Sequence, residues 1–255
     1  DIVIEIGPGH GELTEKIKDQ KSKIKIIAIE KDSKLVEFLR KRFSEYPNIE
    51  INEGDILKKI HKVVKVLGAQ PYKIVGNIPY YLTGKLLRTI GELPSRPTVC
   101  VLTIQKEVAE RIMAGPPRIN PVRSKTPQTS ADTAWYRTSN GMNRLAASIA
   151  FWAEPKIIGS LPRADFNPHP RVDSAIIKLT TQPLSAQINI NSEKYYRAVR
   201  ALFSQPRKTI LNNLAAHSDG KKEWLAEELK KVGVDPEARP HNLSVDDIAR
   251  IGKLF

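Results

Sequence analysis

Asn77-Ile78-Pro79-Tyr80 sets a side-chain amide, an apolar residue, a proline and an aromatic ring in consecutive positions. Those types suit one particular problem. The exocyclic amine of a nucleobase is a weak nucleophile because its lone pair is delocalised into the ring. A site that accepts both amine hydrogens can hold the nitrogen in line with an electrophilic methyl group on a sulfonium. The Asn77 side-chain oxygen and the Ile78 carbonyl are two such acceptors, and Pro79 stiffens the backbone that presents them. Tyr80 offers a face to an extruded base, since a base inside a duplex cannot enter such a pocket. Taken alone, the same residues also describe an ordinary turn with a packed tyrosine. Their place in the fold separates the two.

The strand ends around this loop supply the parts of a cofactor pocket. Ile2–Ile6 reads as a buried strand, followed by the turn Gly7-Pro8-Gly9-His10-Gly11 and a helical stretch from Glu12. Gly7, Gly9 and Gly11 suit a sharp turn whose backbone approaches a ligand, although dinucleotide-binding proteins use similar turns. Lys25–Glu30 is a second apolar strand, and Glu30 at its end can accept ribose hydroxyl hydrogens. Asp32 caps the next helix, whose Leu35, Val36, Phe38, Leu39 and Phe43 share a face. A short strand, Ile49–Ile51, leads to Gly54-Asp55. There Asp55 either accepts from the amine of a bound adenine or caps the helix opening at Ile56. Tyr72–Gly76 is the fourth strand and delivers Asn77; Val99–Ile104 is the fifth. Strands alternating with helices predict an open, largely parallel α/β sheet. Ligands of such sheets sit beyond the carboxyl ends of the strands, where all these residues fall.

Composition narrows the partner. The 255 residues suit one large domain or one large and one small, and 40% hydrophobic content is enough for a packed core. A formal charge of +13, spread along the chain, favours a polyanion over a small neutral substrate. No apolar stretch approaches the ~20 residues that span a bilayer, and no signal peptide opens the chain, so the expected compartment is cytoplasmic. Cys100, the one cysteine, reads as a buried strand thiol, and its solitude excludes a disulfide framework or a cysteine zinc site. His10, His61, His169, His217 and His241 show no ligand spacing, so no metal is expected. Asp1 leads straight into a strand, which predicts a chain shortened at its start.

Farther along, a helix spans Lys106–Met113 and regular pattern returns at Leu145. Between them residues 115–141, rich in proline, serine, threonine and arginine, read as a flexible insertion. A last strand, Ser174–Leu179, closes a first domain over 1–181. Residues 182–191 read as a linker, and 192–255 as a helical domain with helices Glu193–Phe203, Thr209–Ala216, Glu223–Val232 and one from Val245. Pro168 and Pro170 predict a rigid, extended approach to the last strand over Phe166–Ser174. Phe166 is either the second face of an aromatic clamp or a staple for the sheet edge. Arg207-Lys208 stands just before a helix, where the dipole disfavours cations; phosphate contact and plain solvation both account for the pair.

With these residues in hand the chain resembles the small-subunit ribosomal RNA adenine N6-dimethyltransferase family, over nearly its whole length apart from the insertion. The matching motifs are Glu5 to Gly11, Glu30, Gly54-Asp55, Asn77 to Tyr81, Gln105 to Arg111, Phe166 to Ser174, Phe203 to Asn213 and Arg239 to Ser244. The last two separate this family from methyltransferases in general. The resemblance implies a Rossmann-like S-adenosylmethionine methyltransferase sheet with a small all-helical C-terminal, rRNA-binding domain. It implies S-adenosylmethionine as methyl donor, no metal, and a monomer acting on the immature small ribosomal subunit. The substrate would be two adjacent adenosines in the 3′-terminal hairpin of small-subunit rRNA. Glu5, Gly7, Gly9, Gly11, Glu30, Asp55 and Asn77 would bind the cofactor. Asn77 to Tyr80 would hold the target amine, and Tyr80, Phe166, Arg207 and Lys208 would meet base or RNA.

Three departures from the family pattern stand out. The Gln-Asn-Phe-Leu segment that covers the cofactor is not upstream of Asp1, residues 115–141 exceed the family's short loop, and Pro206 replaces a usual arginine. Competing readings are a large-subunit rRNA adenine methyltransferase, against which the helical-domain motifs argue, and a non-catalytic assembly factor of the same fold. A nicotinamide-dependent oxidoreductase lacks any proton-transfer constellation beside the glycine turn.

Overall fold

Seven apolar segments pair into one sheet: β1 (Ile2–Ile6), β2 (Lys25–Glu30), β3 (Ile49–Glu53), β4 (Tyr72–Asn77), β5 (Val99–Gln105), β6 (Ala153–Leu161) and β7 (Ser174–Thr181). Their order is β3-β2-β1-β4-β5-β7-β6. The computed structural model describes residues 1–18, 24–114, 141–182, 190–217 and 222–254. β1, apolar and buried almost throughout, sits inside the sheet and pairs in parallel with β2 and β4. The pairings β2·β3 and β4·β5 are also parallel, whereas β7 runs antiparallel to both β5 and β6. This is the open, largely parallel sheet expected from the alternation.

Register does the positioning. Ile6 lies opposite Ile29 and Gly76, Glu30 opposite Glu53, and Asn77 opposite Thr103. The residues that follow Ile6, Ile29, Glu53 and Gly76 therefore emerge side by side along one edge.

Helices α1 (Glu12–Lys18), α2 (Ser33–Arg42), α3 (Ile56–Leu67), α4 (Thr83–Gly91) and α5 (Lys106–Met113) alternate with the strands. Asp32 caps α2 as expected, its carboxylate accepting from the Lys34 and Leu35 N–H groups. Val36, Leu39 and Phe43 are buried at i, i+3 and i+7, but Phe38 falls off that stripe and is 45% exposed. Its ring meets His10 edge-on at 5.8 Å instead.

The sequence pattern missed β6. Pro155 and Gly159 interrupt it, and proline is tolerated on an edge strand, where no ladder N–H is needed on the open side. A bulge lies between Ile157 and Gly159. The approach to β7 also differs from the expected extended run. Residues 163–165 form a 3-10 turn and 166–173 are irregular, with the Asn167–Pro168 bond cis.

The chain divides into two compact units, residues 1–109 with 153–182 and residues 110–152 with 183–255. The second unit holds α6 (Arg144–Ala150), α7 (Ser192–Leu202), α8 (Ile210–Ala215), α9 (Lys222–Lys231) and α10 (Val245–Gly252). In its core Phe151 stacks on Tyr195 at 4.3 Å, and the Tyr195 hydroxyl donates to the Ala147 carbonyl at 3.0 Å. The expected insertion lies outside the described residues except for Gly141. Its described flanks meet where Asn143 Nδ2 donates to the Arg111 carbonyl at 2.7 Å. Among the described residues no helix is long and apolar enough to cross a membrane.

At Gly76 the sheet has no room for a side chain, because a Cβ there would lie 2.7 Å from the Ile6 carbonyl oxygen. Gly76→Ala is expected to lower stability by about 2 kcal/mol, read as a reduced urea midpoint with unchanged slope. Gly84→Ala, on α4 where an added Cβ would meet no atom of the described residues within 4 Å beyond its own helix backbone and chain neighbours, should raise it by about 0.5 kcal/mol.

Candidate active site at the strand ends

β1 ends at Ile6 and the chain turns through Gly7, Gly9 and Gly11, with φ of 62, 60 and 91°. The Gly7 N–H donates to the Ile29 carbonyl and the Gly11 N–H to Pro8, which closes the turn tightly against β2. The three glycines answer different needs. A Cβ on Gly11 would lie 2.8 Å from Phe43 Cε2 and 3.0 Å from Leu39 Cδ2, so α2 packs directly on it. Over Gly7 and Gly9, chain neighbours apart, no atom of the described residues lies within 4 Å of an added Cβ, leaving a bare backbone edge for a ligand to approach. Arg42 fixes the far side of the turn, donating to the His10 carbonyl at 2.6 Å.

Glu30, at the end of β2, joins the turn to the next loop. Its Oε2 accepts from the Gly9 N–H at 3.3 Å, and its Oε1 accepts from Lys31 and Asp32 at 2.7 and 3.0 Å. A carboxylate has about four acceptor positions, so Oε2 keeps capacity for another donor. The Glu30 carbonyl takes the Gly54 N–H at 2.6 Å, which draws the end of β3 alongside. Asp55 divides its oxygens. Oδ1 caps α3 through the Leu57 N–H at 2.9 Å, and Oδ2 lies 3.8 Å from the Lys31 ammonium.

Glu5 is the more deeply buried of the site's two buried carboxylates, 1% exposed on β1. Oε2 accepts from the fully buried Thr14 hydroxyl at 2.7 Å, while Oε1 has no partner among the described residues. Burial pushes the Glu5 pKa up to about 6; the Thr14 hydrogen bonds act in the opposite direction and the Glu12 charge adds to the rise.

The Asn77–Tyr80 loop leaves β4 beside β5, the Ile78 N–H donating to the Thr103 carbonyl at 3.1 Å. Ile78 buries its side chain, which anchors the loop, while Asn77 is exposed. Neither the Asn77 side-chain oxygen nor the Ile78 carbonyl accepts a hydrogen bond among the described residues. Pro79, at φ −53°, opens a 3-10 turn over Tyr80–Leu82 that runs into α4. The Tyr80 ring is half-buried, and its hydroxyl lies 2.8 Å from the hydroxyl of fully buried Ser174. Tyr81 is 84% exposed.

Phe166, half-buried, ends the 163–165 turn, and the Arg163 N–H at the start of that turn donates to Asp173 Oδ1 at 3.0 Å. The first unit thus contains Glu5, the three glycines, Glu30, Asp55, Asn77 to Tyr80 and Phe166. Arg207 and Lys208 belong to the second unit, exposed on the turn before α8. The sequence pattern assigns no site role to Thr14, Asp173 or Ser174. Ser174 opens the apolar run of β7, where a buried hydroxyl needs a partner; Thr14 stands among charged residues and carries no such signal.

A family described as ribosomal RNA adenine dimethylase matches residues 1–121 and 126–255. A ribosomal RNA small subunit methyltransferase A of Dehalococcoides mccartyi is 33% identical over 97% of this chain and 76% of its own length. A dimethyladenosine transferase structure from Plasmodium falciparum superposes with a TM-score of 0.71 at 25% identity, covering 98% of this chain and 88% of that one. The structure of the 23S rRNA methyltransferase ErmE shares the fold, with a TM-score of 0.62 at 23% identity over 99% and 89% of the two chains.

Glu5 makes stability depend on pH with a defined sign. A carboxyl whose folded pKa is raised from 4.5 to about 6 stabilises the fold fully below 4.5 and loses that contribution as pH rises through 6. The stability of the wild type relative to Glu5→Gln should fall by up to about 2 kcal/mol over that interval, then level off. Thermal unfolding of both forms from pH 4 to 8 measures it, and a constant difference would contradict it.

Proposed function

We propose, for a chain that belongs to the ribosomal RNA adenine dimethylase family, that its substrate is small-subunit rRNA and that Asn77 to Tyr80 hold the adenine being methylated. Membership makes the chain an S-adenosylmethionine-dependent rRNA adenine N6-dimethyltransferase. The small-subunit assignment rests on relatives bearing that name and on the Phe203–Asn213 and Arg239–Ser244 motifs of the helical part. The unit that holds the sheet carries the chemistry, and the helices over 192–255 bind rRNA; the linker expected over 182–191 lies outside the described residues apart from its ends. The target is a pair of adjacent adenosines in the 3′-terminal hairpin, presented on an immature small subunit. The enzyme acts as a cytoplasmic monomer and uses no metal.

The observation that carries this reading is the row of strand ends. Register brings Gly7, Glu30, Asp55 and Asn77 to one edge of one sheet. The residues present fit S-adenosylmethionine. Gly7 and Gly9 give an open backbone edge, and Glu30 Oε2 keeps an acceptor for a ribose hydroxyl. Asp55 Oδ2 would accept an adenine amine, and Glu5 Oε1, without a partner among the described residues, would take a cationic amino-acid end. When bound, the cofactor supplies an electrophilic methyl group.

The protein's own residues do the rest. Asn77 Oδ1 and the Ile78 carbonyl accept the two amine hydrogens and localise the nitrogen lone pair, while Tyr80 and Phe166 stack on the extruded base. Arg207 and Lys208 bind phosphate and add affinity that salt weakens.

Two measurements test this. Asn77→Ala should lower methyl transfer to immature small subunits by about 10²–10³-fold, as loss of one preorganised polar contact does elsewhere, and transfer at the wild-type rate would remove the loop from the chemistry. Replacing both Arg207 and Lys208 with alanine should reduce the slope of log affinity against log salt by about 2 on an rRNA hairpin, with cofactor binding unchanged.

A further inference from the structure

Two neighbouring residues at the head of β7 each hold one of the two aromatic elements of the site. The Ser174 hydroxyl meets the Tyr80 hydroxyl at 2.8 Å, joining positions that lie 94 residues apart. Asp173 Oδ1 takes the Arg163 N–H at 3.0 Å, and that turn ends on Phe166, whose N–H returns to the Arg163 carbonyl. The pair itself cannot drift. Ser174 is fully buried and registered between Gln105 of β5 and Leu161 of β6, and the Asp173 carbonyl accepts the Lys106 N–H at 3.0 Å. A buried serine with a single tyrosine partner does little that alanine would not do for packing. Its hydroxyl instead pins the far end of a half-buried ring.

We propose that Asp173 and Ser174 are positioning residues for the target base: Ser174 fixes the Tyr80 ring, Asp173 fixes the turn bearing Phe166, and together they preset two aromatic faces for an extruded adenine. This rests on the reading that Tyr80 and Phe166 stack on that base. Neither residue touches the reacting atoms. Their contribution is the orientation of a stack that would otherwise have to be ordered on each encounter, and small misplacements at a reacting centre are costly.

Single-turnover methyl transfer to an rRNA hairpin, followed alongside fluorescence of 2-aminopurine at the target position, tests the pair. Tyr80→Phe and Ser174→Ala should each slow transfer about tenfold, and the double variant no more than either alone, because both remove the same bond. Each should also weaken the stacking quench of the extruded 2-aminopurine while cofactor affinity stays at the wild-type value. Asp173→Ala should slow transfer similarly, and Asp173→Asn, which keeps the acceptor oxygen, should restore it. Losses that multiply in the double variant, or an unchanged quench, would overturn the proposal. If Ser174→Ala fails to fold, Tyr80→Phe breaks the bond from the other side and decides alone. Tyr80→Ala separates the two layers. Wild-type transfer there overturns the stacking reading and this proposal with it, whereas slow transfer there with wild-type rates in Ser174→Ala and Tyr80→Phe overturns only the proposal.

Discussion

The close approach of β1 to β4 sets where the other parts of the site stand. With Gly76 opposite Ile6, and space for no Cβ between them, the two strands lie flush up to their last residues. The glycine turn and the Asn77 loop consequently leave the sheet as neighbours. Shifting β4 by one residue would turn Asn77 to the other face of the sheet and bring a side chain against the Ile6 carbonyl. Parallel pairing extends the same alignment outward to Glu30 and Asp55, which is why one sheet edge can gather residues from four separate stretches of sequence.

Polar groups buried around that edge are bound in ways that leave selected atoms free. Glu30 spends three acceptor positions on the N–H groups of Gly9, Lys31 and Asp32, which holds two loops in place and leaves capacity on one oxygen. Glu5 ties one oxygen to Thr14, and the other has no partner among the described residues, in a setting that raises its pKa. An unpaired buried acceptor costs stability, and such costs are retained where a ligand or a reaction uses the atom. In the Asn77 loop the buried Ile78 side chain provides the anchor, so that two acceptors can stay free without the backbone wandering.

Much of this was legible in the sequence because it follows from strand ends. Buried parallel strands read as apolar runs, and Gly7, Glu30, Asp55 and Asn77 stand where those runs stop. Other features are tertiary. β6 was hidden because Pro155 and Gly159 spoil the strand pattern, and only its edge position makes them acceptable. Phe38 matched an apolar helix face by type, yet the geometry of α2 turns it outward to His10. Sequence gives Asp55 two roles, and in the structure its oxygens divide, one capping α3 and the other beside Lys31. Thr14, Asp173 and Ser174 act through partners distant in sequence or across a turn, and no periodicity announces such pairings. Residues 115–140 lie outside what the structure describes.

This sheet edge dimethylates adenine in small-subunit rRNA, and nucleoside mass spectrometry of both rRNAs checks it after unmethylated ribosomal subunits are incubated with the protein and S-adenosylmethionine. N6,N6-dimethyladenosine is expected at two adjacent positions near the 3′ end of small-subunit rRNA, with none in large-subunit rRNA. Methylation confined to large-subunit rRNA, or subunit binding with no methyl transfer, would contradict it.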